Sequence, residues 1–173
     1  MKKILLSILA VVAFGTASAQ DMKFGVKAGA NFSNLNFSGD FESDGLTSFY
    51  IGGLVDFAIS EKFHVQPELL YSMEGAKDAE ISFLRIPIMA KYYIAEGFNL
   101  QAGPSIGFKV SADEGLDELT KSMDFGLGLG AGYELSGGLF FDARYNLGLS
   151  NISDVDPIEV KTTNFQVGLG YRF

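Results

Sequence analysis

The chain has no cysteine and no tryptophan, and only four prolines and one histidine in 173 residues. Without cysteine there can be no disulfide framework, no thiolate nucleophile and no cysteine metal site. A single histidine, His64, leaves little material for a metal centre, and no metal-ligand spacing is present. Long apolar runs are missing after the first residues, although hydrophobic residues make up 47% of the chain. A helical membrane span needs about 20 consecutive apolar residues, so none is expected. Positive charge is also scarce. Lys and Arg number 13 against 21 Asp and Glu, and no basic stripe exists, which argues against nucleic acid as a partner.

What is abundant is glycine, at 21 residues, and phenylalanine, at 16. That bias suits strands and tight turns. The first residues stand apart. Lys2 and Lys3 precede a short apolar stretch from Ile4 to Phe14, and Ala17-Ser18-Ala19 supplies a small-residue cleavage pattern. This order reads as a signal peptide over 1–19, followed by one domain over 20–173. No cysteine follows the cleavage pattern, so it is not a lipoprotein signal.

The remainder alternates. In a strand, successive side chains face opposite sides. Phe165, Val167, Leu169, Tyr171 and Phe173 share one face, against Asn164, Gln166, Gly168, Gly170 and Arg172. Phe24, Val26, Ala28, Ala30 and Phe32 oppose Lys23, Gly25, Lys27, Gly29 and Asn31 in the same way. Six further segments, beginning near Ser48, Phe63, Phe83, Phe98, Met123 and Leu139, repeat the pattern. Eight strands are predicted, each long enough for the about 9–11 residues of a tilted membrane strand. Short connections fall near 60–62, 95–97 and 136–138, and longer ones near 34–47, 75–80, 111–121 and 151–161. Short turns on one side and long loops on the other are the outer-membrane pattern. Both termini and the short turns are expected in the periplasm, and the four longer loops outside.

Alternation alone does not say which face is outward. A soluble lipocalin-like barrel would hide the apolar face. Here that face is bulky throughout, while the other carries charge and the run Gly126, Gly128, Gly130 and Gly132, which cannot fill a dry apolar interior. The fold expected is therefore an all-β, eight-stranded antiparallel up-and-down transmembrane β-barrel of a Gram-negative outer membrane. Six acids (Asp56, Glu68, Glu74, Asp124, Glu134, Asp142) and six bases (Lys27, Arg85, Lys91, Lys109, Arg144, Arg172) should point inward. Buried charges are tolerable when paired, so a balanced network should plug the lumen. Arg85 and Glu68, on neighbouring strands, are the pair expected.

The chain end carries a further pattern. Gln166, Gly168, Tyr171 and Phe173 stand at polar, glycine, aromatic and terminal aromatic positions, resembling the signal read by the barrel assembly machinery. Longer segments carry a family resemblance. Gly25-Val26-Lys27-Ala28-Gly29-Ala30-Asn31-Phe32-Ser33, Gln66-Pro67-Glu68-Leu69-Leu70-Tyr71-Ser72 and Leu84-Arg85-Ile86-Pro87-Ile88-Met89-Ala90-Lys91-Tyr92-Tyr93 are similar to strands of the PorT-like small outer-membrane β-barrel proteins of Bacteroidota. Asp124-Phe125-Gly126 and Ala143-Arg144-Tyr145-Asn146-Leu147-Gly148-Leu149-Ser150-Asn151-Ile152 match their later strands. The resemblance implies fold and location. The secretion role of the member that names the family does not transfer with it.

Chemistry is thin. His64 follows the short turn at 60–62, far from the outer side where lipid A-modifying barrels and omptin-like proteases work, and no partner motif accompanies it. The glycines at 126–132 lie inside a strand, so they do not form a phosphate loop. No catalytic residue, cofactor or metal is expected. The outer loops are acidic: Asp40, Glu42, Asp44, Asp78, Glu80, Asp113, Glu114, Asp117, Glu118, Asp154, Asp156 and Glu159 stand against Lys77, Lys121 and Lys161. A solvated surface explains them, as would divalent cations bridging to lipopolysaccharide or a basic protein partner. Two functions remain: a structural or interaction barrel working through these loops in contact with outer-membrane lipid and lipopolysaccharide, or a narrow channel for ions or small solutes.

Overall fold

A computed structural model describes residues 22–37, 44–77, 79–113, 120–153 and 160–173. The signal segment 1–19 and the loop acids Asp40, Glu42, Asp78, Glu114, Asp117, Glu118, Asp154, Asp156 and Glu159 lie outside these residues. Eight strands follow in order: β1 (Met22–Phe37), β2 (Leu46–Ala58), β3 (Phe63–Ala76), β4 (Ala79–Tyr93), β5 (Phe98–Ala112), β6 (Met123–Glu134), β7 (Leu139–Gly148) and β8 (Val160–Arg172). Each pairs antiparallel with the next, and β1 pairs with β8 from Gly25 opposite Arg172 to Phe37 opposite Val160. The sheet is closed, so no strand presents an open edge. Phe173 completes the closure by donating its backbone N–H to Phe24 O at 2.9 Å.

The alternation places bulk outside. Phe24, Phe32, Ile51, Leu69, Tyr92, Leu100, Phe125, Leu129, Tyr145, Leu169 and Tyr171 are all exposed on the outer wall. Neighbouring strands place aromatic rings side by side there, as with Phe32 and Phe165 at 6.4 Å between centroids and Phe49 and Tyr71 at 6.3 Å. In water such a surface would drive association. In a bilayer it is the solvated surface.

One end of the barrel, the turn end, holds Met22, Phe173 and the tight connections at 59–62, 94–97 and 135–138. Gly97 and Gly138 adopt φ of 73° and 89°, which a side chain would strain. The opposite loop end differs from the expectation at one place. The connection at 75–80 is not long. β3 and β4 stay paired until Ala76 faces Ala79. The glycine and charges there mark the tip of a hairpin, and turn composition says nothing of how far the strands run toward it.

Three of the four prolines interrupt the wall. Pro67, Pro87 and Pro104 sit in the middle of β3, β4 and β5. Proline has no N–H to give the ladder. The register lapses beside each: between Leu54–Glu68 and Phe57–Val65, between Pro67–Ile88 and Leu70–Arg85, and between Pro87–Ser105 and Ala90–Ala102.

Candidate functional site: the charged lumen and its apolar cap

An eight-stranded barrel has room inside for side chains only. Long inward side chains must therefore face short ones on adjacent strands, and the register supplies this. Lys27 stands between Gly52 and Gly170, Asp142 between Gly132 and Gly168, and Arg144 between Gly130 and Gln166. The alternating glycines of β6 thus make space for charge. A Cβ on Gly128 would lie 2.9 Å from Asn146 Oδ1 and 3.2 Å from Arg144 Cδ.

The inward charges fall into three groups along the axis. Nearest the turn end, Asp56 accepts from His64 Nδ1 at 2.5 Å, Lys91 Nζ at 3.1 Å and Arg172 Nη1 at 2.8 Å. Glu134 accepts from the same Lys91 at 2.8 Å and also from Arg172 and Tyr93. Phe140 packs its ring against the Arg172 guanidinium at 5.1 Å. At mid-height, Arg144 forks onto Glu68 with bonds of 2.9 and 2.8 Å and reaches Gln101 at 3.0 Å across Gly130. Lys27 binds Asp142 and approaches Glu68 at 3.8 Å. Tyr50 closes this group over Lys27, 5.3 Å from ring centre to Nζ. Gln66 joins the two groups, donating to Glu68 at 2.7 Å and accepting from Lys91 at 3.1 Å.

The third group corrects an expected pair. Arg85 does not bind Glu68. Its Nε and Nη2 grip Glu74 at 2.7 and 2.6 Å, and Nη2 also reaches Asp124 at 2.8 Å. The register explains the choice. Leu70, buried, stands opposite Arg85 on β3, whereas Gly107 stands opposite it on β5 with Asp124 directly beyond. The guanidinium leans over the missing side chain. Ser72, Ser150 and Thr162 donate to the two carboxylates at 2.7, 2.6 and 3.0 Å. Lys109 stands outside these groups, near the loop end, donating to Thr120 O at 2.7 Å and Oγ1 at 3.1 Å.

Above the third group the interior changes character. Leu35, Ala76, Ile81, Phe83, Ile152 and Val160 form a buried apolar cluster. Phe83 lies over Arg85 at 4.7 Å. Ile152 follows β7 and turns inward. Its N–H donates to Val160 O at 2.8 Å, and Asn151 Oδ1 accepts from the N–H groups of Ser153 and Val160 at 2.9 Å each. Sequence reading missed this cap. Apart from Phe83, which alternation within β4 places inward, its members sit near strand ends and in a connection, where a period of two does not say what meets what. Beside Arg85 and Asn146, the interior leaves a space of about 10 Å³. That is on the order of a single water.

The chain-end residues divide between the two faces. Gln166 points inward and donates to Asn31 Oδ1 at 2.9 Å. Gly168 faces Gly29, and the pair leaves room for the Tyr50 ring, which would lie 2.8 Å from a Cβ on Gly29. Tyr171 and Phe173 are exposed on the outer wall at the turn end. His64 sits at the turn end, its ring 4.7 Å from that of Tyr93. Among the described residues no group of three or more His, Cys, Asp or Glu side chains is arranged to hold a metal.

A closed barrel with an aromatic, apolar outer wall and an interior of paired charges is a transmembrane β-barrel. The sequence matches the family described as outer membrane protein beta-barrel domain over residues 6–173, and the chain belongs to that family, as a protein of the outer membrane. No curated protein sequence matches it. Its fold is similar to that of Ail, the attachment invasion locus protein of Yersinia pestis, with 15% identity, 89% of this chain and 100% of that chain covered, and a TM-score of 0.57. Neisserial surface protein A gives 13%, 87%, 97% and 0.59, and a de novo designed transmembrane β-barrel gives 12%, 87%, 95% and 0.51. At these identities the likeness is one of fold.

Proposed function

We propose that this protein is a closed, non-conducting barrel with a structural or interaction role exercised through its acidic loops. One observation carries the reading: three salt-bridged groups and an apolar cap succeed one another along the axis, and the ion pairs reach past neighbouring strands, Arg144 on β7 to Glu68 on β3, Lys91 on β4 to Asp56 on β2 and Glu134 on β6, and Arg85 on β4 to Asp124 on β6. A solute path would have to break buried ion pairs, each costly to leave uncompensated. Single-channel recording in planar bilayers tests this. A flat baseline is expected, and reproducible current steps would establish the narrow-channel alternative.

The same reading makes the protein a non-enzyme. His64 is held by Asp56 at the turn end, and neither purified lipid A nor dibasic peptides should be altered by it. The quoted runs in β1, β3, β4 and β7 support a PorT-like subtype within the family. Residues 1–19 act as a signal peptide in this account. Tyr171 and Phe173 serve the assembly machinery, and the loop end faces outward toward lipopolysaccharide and any surface protein partner. Tags at Gly45 and Glu114 should be accessible on intact cells, and one at Gly137 should not. The reverse pattern would invert the orientation.

A further inference from the structure

The outer wall is not uniformly convex. A groove of about 450 Å³ runs over β3 to β6, lined by Phe63, Ala90, Tyr92, Leu100, Ala102 and Leu129. Its floor has a direct cause. Ala90 and Ala102 face each other across β4 and β5, two small side chains among the larger Phe63, Tyr92, Leu100 and Leu129. The lapse in the ladder at Pro104 begins beside that pair. The groove ends at the turn end, where Tyr93 N donates to Lys62 O at 2.8 Å. Immediately beyond lies a second groove, also of about 450 Å³, with charged side chains among its lining, which is made by Glu61, Lys62, Tyr93, Ile94, Glu96 and Gly97. Glu61, Lys62 and Glu96 are exposed, and no ion pair among the described residues engages them.

We propose that the two grooves together bind one phospholipid whose head bears both a phosphate and a primary ammonium. An acyl chain lies over Ala90 and Ala102 between Tyr92 and Leu100. The phosphate meets Lys62, and the ammonium lies between Glu61 and Glu96. Charge complementarity selects this occupant. One cation beside two acids matches a phosphoethanolamine head, whereas a phosphoglycerol head would offer nothing to the acids and would set its own charge against them. A smaller apolar groove on the far wall, about 200 Å³ and lined by Val26, Ala28, Ile51, Leu139, Leu169 and Tyr171, lacks this complement. The rim beyond it holds Lys23, but its acid Glu134 is already bound to Arg172 and Lys91.

The test uses refolded protein in detergent micelles titrated with phosphatidylethanolamine or phosphatidylglycerol of equal chain length, with lipid adducts read by native mass spectrometry. Exposed ion pairs are worth a few-fold in affinity, so the amine lipid should be retained about three- to fivefold better. Ala102→Phe should abolish its adduct while leaving heat-modifiable folding intact, and Ala28→Phe should not. Glu61→Gln with Glu96→Gln should keep a lipid adduct but erase the preference between heads. Equal retention of both lipids by the unaltered protein would overturn the proposal, as would an amine-lipid adduct that survives Ala102→Phe. Should Ala102→Phe fail to fold, the paired turn substitutions decide alone, since they alter only exposed side chains.

Discussion

The charged part of the lumen and its loop end share one enclosed space and fill it with opposite chemistry. On the turn-end side of Phe83, each inward charge of the three groups is matched to an opposite charge, and Lys27, Asp142 and Arg144 stand beside glycines. Above it, Leu35, Ile81, Ile152 and Val160 pack on one another through apolar side chains. The polar part must cross the depth of the bilayer, where its outer face is already committed to lipid. The interior is then free to be polar provided every charge finds a partner. The cap lies where strands give way to loops. There an apolar cluster needs no register to hold it, only a connection that turns inward, as Ile152 and Ser153 do. The charged part is specified by geometry and the cap by bulk, so the two should fail differently.

The largest effect is expected in the mid-height group. Arg144→Ala leaves Glu68 buried beside Lys27 alone, and should cost about 3–5 kcal/mol in denaturant unfolding from detergent. Arg144→Met combined with Glu68→Leu removes one charge of each sign and keeps Lys27 with Asp142. It should recover most of that loss. A cost under about 1 kcal/mol for Arg144→Ala would mean that water, and not pairing, solvates the lumen.

In the cap, Ile152→Ala should cost about 2–4 kcal/mol through the cavity it leaves. It should not produce conductance, because the three ionic groups below remain closed. Current from this variant would show that the cap, and not the network, seals the barrel.

A subtler comparison lies within the network. A double-mutant cycle between Arg85 and Glu74 should give a coupling of about 1–2 kcal/mol, and one between Arg85 and Glu68 close to zero. The opposite ranking would require a register shift between β3 and β4.

The smallest effect on stability is expected at the chain end. Phe173 is exposed and its backbone adds one hydrogen bond to the seam, so its deletion should cost under about 1 kcal/mol once folded. Its larger consequence should be a lower yield of inserted, heat-modifiable protein without loss of export. Normal insertion would show that the terminal pattern is dispensable.

Much was legible in the residues themselves. Strand number, the face each residue occupies and the inward position of most of the charges follow from a period of two. That period survives whatever the strands pair with, because the pleat fixes it locally. Phe83 and Met89 were readable as inward for the same reason, although neither is polar. The hairpin at 75–80 was misjudged because composition marks a turn and not the length of pairing around it. Which acid meets which base was not legible either. Arg85 reaches Glu74 and Asp124 because Leu70 and Gly107 happen to stand on its two flanks. Such neighbours arise from inter-strand register, a long-range property that alternation within one strand does not encode. The cap and the lipid-facing groove belong to the same class. Ile152 approaches Leu35, and Ala90 meets Ala102, only after the barrel closes and the strands settle against one another. The sequence by itself determined which side of every strand faces lipid; closure of the sheet decided what each inward side chain would touch.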